Sequence, residues 1–198
     1  MAGKDAHLIW ETDERILEWK GPIFDVYKLR RHSTDGRSSS FIEIDAPEWV
    51  TIIPWYRDAQ GTPFFIMVEQ FRHGSGVVTR EFPAGVVEVD EDPADAALRE
   101  LKEETGIVAS HPRLLGRVNP NSAFMNNHSN FFLIELQDYD GTRLPQQLDA
   151  NEQLDVLSVP VDEVVRNMGD SLYGNGIMMM ALGYFLREAT LRPGLLGA

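Results

Sequence analysis

The sequence predicts a mixed α/β sandwich, with helices packed on a largely antiparallel or mixed sheet. Three observations carry this. Short β-prone runs separated by turn signals lie before residue 72, one helix with matching start and stop signals follows residue 91, and two more helical segments come near the end. At 198 residues the chain has room for one domain plus an extension.

The runs Phe24–Arg31 and Ser39–Asp45 flank Ser33-Thr34-Asp35-Gly36, whose Asp-Gly pair signals a hairpin turn. Val50–Tyr56 and Pro63–Phe71 form a second hairpin around the longer loop Asp58-Ala59-Gln60-Gly61. A helix then starts at Asp92 as N-cap, with Pro93 in its first position, and stops at Gly106. Strands follow at Leu114–Val118, Asn130–Leu136 and Leu154–Val159, the first two joined by the polar loop Asn119–Asn127. Val161–Met168, closed by Gly169, and the Met-rich Ile177–Leu186 read as helices, with the methionines as core. No internal repeat interrupts this order.

Composition narrows the function. The 31 acidic and 18 basic residues leave a net charge of −13, which opposes sequence-independent binding to nucleic acid or to an anionic membrane. The absence of cysteine excludes disulfides, thiolate zinc sites, iron–sulfur clusters and a thiol nucleophile. Met1–Arg15 has no apolar core of the signal-peptide kind, and the uncharged run Ser171–Leu186 is 16 residues long and broken by glycines. The expectation is a soluble cytoplasmic protein. The five histidines show no paired metal spacing and receive no role.

Chemistry concentrates between Gly85 and Ile107, where eight acids meet two bases. At 100° per residue Glu100, Glu103 and Glu104 fall within about 100° of arc, beside an apolar face of Ala94, Leu98, Leu101 and Thr105. One reading is a solvated acidic face. Against it, like charges at i,i+3 and i,i+4 each destabilise a helix by about 0.2–0.5 kcal/mol unless compensated. Clustered carboxylates suit a hard divalent cation instead, with Mg²⁺ the expected ion.

The same segment resembles the Nudix box: Gly85, five residues, Glu91, seven residues, Arg99-Glu100-Leu101, one residue, Glu103-Glu104, one residue, Gly106-Ile107. Seven fixed residue types at roughly 6–7% average usage match by chance in about one chain in millions. The resemblance implies an α/β/α sandwich hydrolase of nucleoside diphosphates linked to another group, using Mg²⁺ or Mn²⁺. It assigns Glu100 and Glu104 as metal ligands, with the Ala84 carbonyl beside them. Glu103 is a further ligand or the activator of the attacking water. Arg99 orients Glu91 and its neighbours.

Val68-Glu69-Gln70-Phe71-Arg72 and Glu81-Phe82-Pro83-Ala84-Gly85 narrow the resemblance to the ADP-ribose pyrophosphatase and nucleoside diphosphate sugar hydrolase branch. That branch implies Arg72 and Glu81 at the diphosphate or ribose, and a catalytic glutamate before the last strand, a place occupied here by Glu152. Glu152 also reads as an ordinary loop acid. The branch further implies a homodimer built through an N-terminal β segment. Residues 1–46 correspond to that segment and residues 47–198 to the hydrolase domain. Phe24 is then a base-stacking candidate or a buried strand residue. One departure is Pro120, which lies 13 residues beyond Ile107, where the branch places a proline about 15 residues on. The amide-rich loop after it reads either as substrate contacts or as a solvated loop. Besides ADP-ribose and nucleoside diphosphate sugars, two alternatives stay open: another diphosphate such as a dinucleoside polyphosphate or coenzyme A derivative, and a sensor that binds nucleotide sugars without cleaving them.

Overall fold

Strand β4 (Trp49–Arg57) is buried from Val50 through Trp55, as an apolar run broken only by Thr51 requires of a strand covered on both faces. The computed structural model describes residues 5–192 and residue 195. These fall into two compact units, residues 5–48 with Asn119–His128, and Trp49–Val118 with residues 129–192 and 195.

The larger unit holds a seven-stranded sheet. Its path runs β10 (Leu154–Pro160), β5 (Pro63–Arg72), β4, β9 (Ser129–Glu135) and β8 (Arg113–Val118). Two short strands extend it: β6 (Val77–Glu81) pairs with β5, and β7 (Ala84–Val86) with β4. The β4–β9 pair is parallel and the other pairs are antiparallel, so the sheet is mixed as expected.

Alternation along β4 divides the core in two. Val50 and Ile52 join Ile66, Phe132 and Ile134 against Ala96, Ala97 and Leu101 of helix α1 (Pro93–Thr105). Ile53 and Trp55 join Phe65, Phe131 and Leu133 against α2 (Val161–Arg166) and α3 (Gly176–Leu191), where Met178, Ala181, Leu182 and Phe185 are fully buried. Helices therefore cover both faces, the α/β/α arrangement the resemblance implies. The methionines of α3 belong to this core.

Helix α1 ends where its sequence says. The Asp92 carboxylate accepts the Ala94 N–H at 2.8 Å, Pro93 opens the first turn, and Gly106 takes the left-handed conformation at φ 71°. A side chain at Gly106 would also meet the Leu144 carbonyl, so glycine is required there twice over.

The smaller unit is a three-stranded antiparallel sheet, β1 (Trp10–Lys20), β2 (Asp25–Ser33) and β3 (Ser38–Asp45). The β2–β3 hairpin agrees with the sequence reading. Strand β1 does not appear in that reading, because exposed charged residues dominate both of its faces and leave no alternation to read. The loop after Val118 lies along β3: Ile44 N–H donates to the Phe124 carbonyl at 2.7 Å and Asn126 Nδ2 to Asp45 at 2.7 Å. Asn119 Nδ2 bonds the Met125 and Asn127 carbonyls, and Asn127 Nδ2 bonds Pro47. These amide donors therefore close the loop on itself, on β3 and on Pro47 just after it. Among the described residues no helix is long and apolar enough to cross a membrane.

Candidate active site

Helix α1 presents its carboxylates beside the β7 turn, and one guanidinium organises them. Arg99 Nε and Nη2 donate to the two oxygens of Glu91, both at 2.9 Å. Its Nη1 donates to Glu100 Oε1 at 2.8 Å and Glu103 Oε2 at 3.1 Å, and Nη2 also reaches the Val86 carbonyl at 2.9 Å. One cation thus ties Glu100 and Glu103 of α1 to Glu91, ahead of that helix, and to the end of β7. Its hydrogen bonds hold the Glu91 carboxyl below the usual range.

Glu104 lies apart from this clamp. It is 4% exposed and accepts the Ala84 N–H at 3.1 Å. Burial first, then the charges of Glu100 and Glu152, push its carboxyl well above the usual range. Burial likewise raises Glu100, with Arg99 opposing and the charges of Glu103 and Glu152 adding to the shift. The Glu100 carboxylate occupies the space where a Cβ on Gly85 would stand, about 2.0 Å from that position. Glycine at this turn is what lets the carboxylate reach the backbone.

These residues fit a hard divalent cation in donor type and charge. All the donors are oxygens, and Glu100 and Glu104 resist ionisation because burial and mutual repulsion are not fully offset. Among the described residues no three acidic, imidazole or thiol side chains already converge as a metal cage. Arg99 holds Glu100 and Glu103 in the arrangement seen.

Across the sheet, Glu81 is 4% exposed and grips Arg72: Nε donates to Oε1 at 3.0 Å and Nη2 to Oε2 at 2.6 Å. Burial opposes ionisation of Glu81, yet Arg72, Thr79 and Asn175 outweigh it and hold the carboxyl below its usual range. Asn175 is also the N-cap of α3, its Oδ1 accepting the N–H groups of Ile177 and Met178 at 2.8 and 3.1 Å. Neither Asn175 nor Thr79 was singled out from sequence. An asparagine ahead of an apolar helix was a legible cap signal, but its contact with Glu81 is non-local.

Arg72 lines two cavities. One, of about 380 Å³, runs past Glu81, Ala84 and Gly85 to the start of α3. The other, of about 780 Å³, opens between the β5–β6 hairpin and the loop carrying Glu152. The Glu152 charge is felt at Arg72, Glu100 and Glu104, so the structure brings this loop acid to the same region. A closed turn fixes it: Glu152 N–H donates to the Asp149 carbonyl at 2.9 Å and Asp149 N–H to Glu152 Oε2 at 3.1 Å. Phe24 lies in the smaller unit, just ahead of β2. It is 36% exposed, with its ring 5.6 Å from that of Trp19.

Residues 47–176 match the NUDIX domain family. Among curated relatives, ADP-sugar pyrophosphatase of Mus musculus is 30% identical over 153 residues, covering 73% of this chain and 69% of that protein. ADP-ribose pyrophosphatase of Bacillus subtilis is 26% identical over 148 residues, covering 75% and 77% respectively. A crystal structure described as an ADP compounds hydrolase shares the fold with a TM-score of 0.75 at 18% identity, covering 91% of this chain and 94% of that one.

Proposed function

Because this chain belongs to the NUDIX family and is a pyrophosphohydrolase of it, we propose that it cleaves ADP-ribose or nucleoside diphosphate sugars in a Mg²⁺-dependent reaction, Mn²⁺ substituting. The products are a nucleoside monophosphate and a sugar phosphate. The observation that carries this is the Arg99 clamp together with the buried Glu104, whose carboxyl feels the charges of Glu100 and Arg72.

Glu100, Glu103, Glu104 and the Ala84 carbonyl would hold the cation, which supplies charge against the diphosphate. Arg72, fixed by Glu81, binds the diphosphate and keeps its fork geometry because both Glu81 oxygens are engaged. Water adds to one phosphorus, the bridging P–O bond breaks, and Glu152 takes the proton that the water loses. Arg99 is a positioning residue. Phe24 is offered as a base-stacking residue from the smaller unit.

Incubation with Mg²⁺ and a panel of ADP-ribose, ADP-glucose, GDP-mannose, UDP-glucose and diadenosine polyphosphate, with products separated by chromatography, tests the reading. AMP with ribose phosphate, or the corresponding pair from a nucleotide sugar, is the expected result. Cleavage of the dinucleotide alone would move the substrate class, and tight binding without turnover would leave a sensor.

Gly85→Ala probes the placement of Glu100 without removing it. The new Cβ would meet the end of a flexible side chain, so the fold is expected to tolerate the change while the carboxylate is displaced. Turnover should fall about tenfold, with the melting temperature within about 3 °C of wild type. Equal loss of stability and activity would show that Gly85 matters only to the loop.

The half-exposed Leu17, Trp19, Phe41 and Ile42 of the three-stranded sheet support a homodimer formed through residues 1–46. Light scattering is expected to give the mass of two chains. A single-chain mass at micromolar concentration would remove this part of the proposal.

A further inference from the structure

The last turn of α1 carries Glu103 and Glu104, and a helix leaves the carbonyls of that turn without partners of its own. One stretch of chain supplies them. Leu144 N–H donates to the Gly106 carbonyl and Gln147 N–H to the Glu103 carbonyl, both at 2.8 Å, and Gln146 Nε2 donates to the Glu104 carbonyl at 2.6 Å. A Cβ at Gly106 would stand about 1.9 Å from the Leu144 oxygen, so the two segments meet main chain against main chain. Leu144 and Gln147 use backbone donors that any residue but proline provides. Gln146 differs. Its side-chain amide has two N–H groups, and Nε2 also reaches the Leu154 carbonyl, at 3.5 Å, where β10 begins. Gln146 and Leu154 stand on either side of the loop that carries Glu152, so one amide joins both stems of that loop to the C-terminus of α1.

We propose that Gln146 is a positioning residue for Glu152: its amide pins the ends of the Glu152 loop to the helix that carries Glu103 and Glu104, and so sets where the loop carboxylate stands against those of α1. The inference rests on the hydrolase reading above and adds what holds its candidate base in place. Within the loop, the Asp149–Glu152 turn fixes the Glu152 side chain only relative to its own backbone. The Gln147 N–H secures the entry to the loop, and the Gln146 side chain reaches across to its exit. Gln146 is itself exposed, so removing its amide opens no cavity in the core. What it controls is the register of loop against helix. A misplacement of about 1 Å at a reacting centre can lower the rate by about 10²-fold, whereas an exposed substitution usually leaves stability almost unchanged.

Gln146→Met keeps the length of the side chain and removes the donor. On the diphosphate of the panel that the wild type cleaves, it is expected to lower kcat about tenfold, with KM and the half-saturating Mg²⁺ concentration within about twofold and the melting temperature within about 3 °C. The metal requirement should hold because Arg99 and the Ala84 N–H, not Gln146, fix the side chains of Glu100, Glu103 and Glu104. Gln146→Lys keeps a donor on a stem long enough to reach, and should return kcat to within about threefold of wild type. In a Glu152→Gln background, Gln146→Met should change kcat by less than about twofold, because a residue that acts through Glu152 then has nothing left to place. Hydrogen exchange read by mass spectrometry should be faster over residues 147–153 in Gln146→Met. Wild-type kcat in the folded Gln146→Met variant overturns the proposal, as does a full tenfold loss in the Glu152→Gln background. A joint shift of kcat, Mg²⁺ requirement and melting temperature also overturns it, since that is the mark of a cap that only steadies α1. Should the wild type cleave no diphosphate, the hydrolase reading fails, and exchange alone decides the anchor: faster exchange in Gln146→Met keeps it, unchanged exchange removes it.

Discussion

Glu104→Gln and Glu100→Gln are each expected to lower turnover of the diphosphate substrate by 100-fold or more, measured as kcat at saturating Mg²⁺. Both changes keep the shape of the side chain and remove one negative charge. Glu104 is the more telling of the two, because its carboxylate is buried and accepts one backbone N–H, from Ala84. Glutamine can still accept that hydrogen bond through its amide oxygen. The fold also escapes the desolvation of a buried charge, so the ligand-free variant should be at least as heat-stable as wild type. A group that stabilises charge in the transition state is worth about 10²–10³ in rate, and a merely structural glutamate is not. Metal binding by calorimetry should weaken in parallel. Wild-type turnover in both variants would show that these two carboxylates hold no catalytic cation.

The local signals in the sequence were enough for α1 and its carboxylates. Asp92, Pro93 and Gly106 mark their own positions, and the arc shared by Glu100, Glu103 and Glu104 follows from helical geometry alone. The short strands β6 and β7 were missed because five and three residues carry no usable period; pairing with β5 and β4 defines them. The amides of Asn119, Asn126 and Asn127 looked equally suited to a substrate or to solvent. Their actual partners, on β3, at Pro47 and within the loop itself, lie beyond any local pattern.

Two glutamates compete for the role of general base, and their surroundings predict different behaviour on substitution. Glu103 is tied to Arg99 at 3.1 Å, so a proton on it would weaken the clamp that also holds Glu91 and Glu100. Glu152 has no such tie; its ordered contact is the Asp149 N–H, which a glutamine can also satisfy. It lines the same cavity as Arg72 and its charge reaches Glu100 and Glu104. Glu152→Gln is therefore expected to lower kcat by about 100-fold or more while KM stays within about threefold, since a base acts on the reacting water and not on the bound nucleotide. The metal requirement separates it from Glu103. Glu103→Gln should loosen the Arg99 clamp and raise the Mg²⁺ concentration needed for half-maximal rate, whereas Glu152→Gln should leave that concentration within about threefold. The reverse pattern would move the proton to Glu103 and leave Glu152 as a loop acid that only shapes the groove.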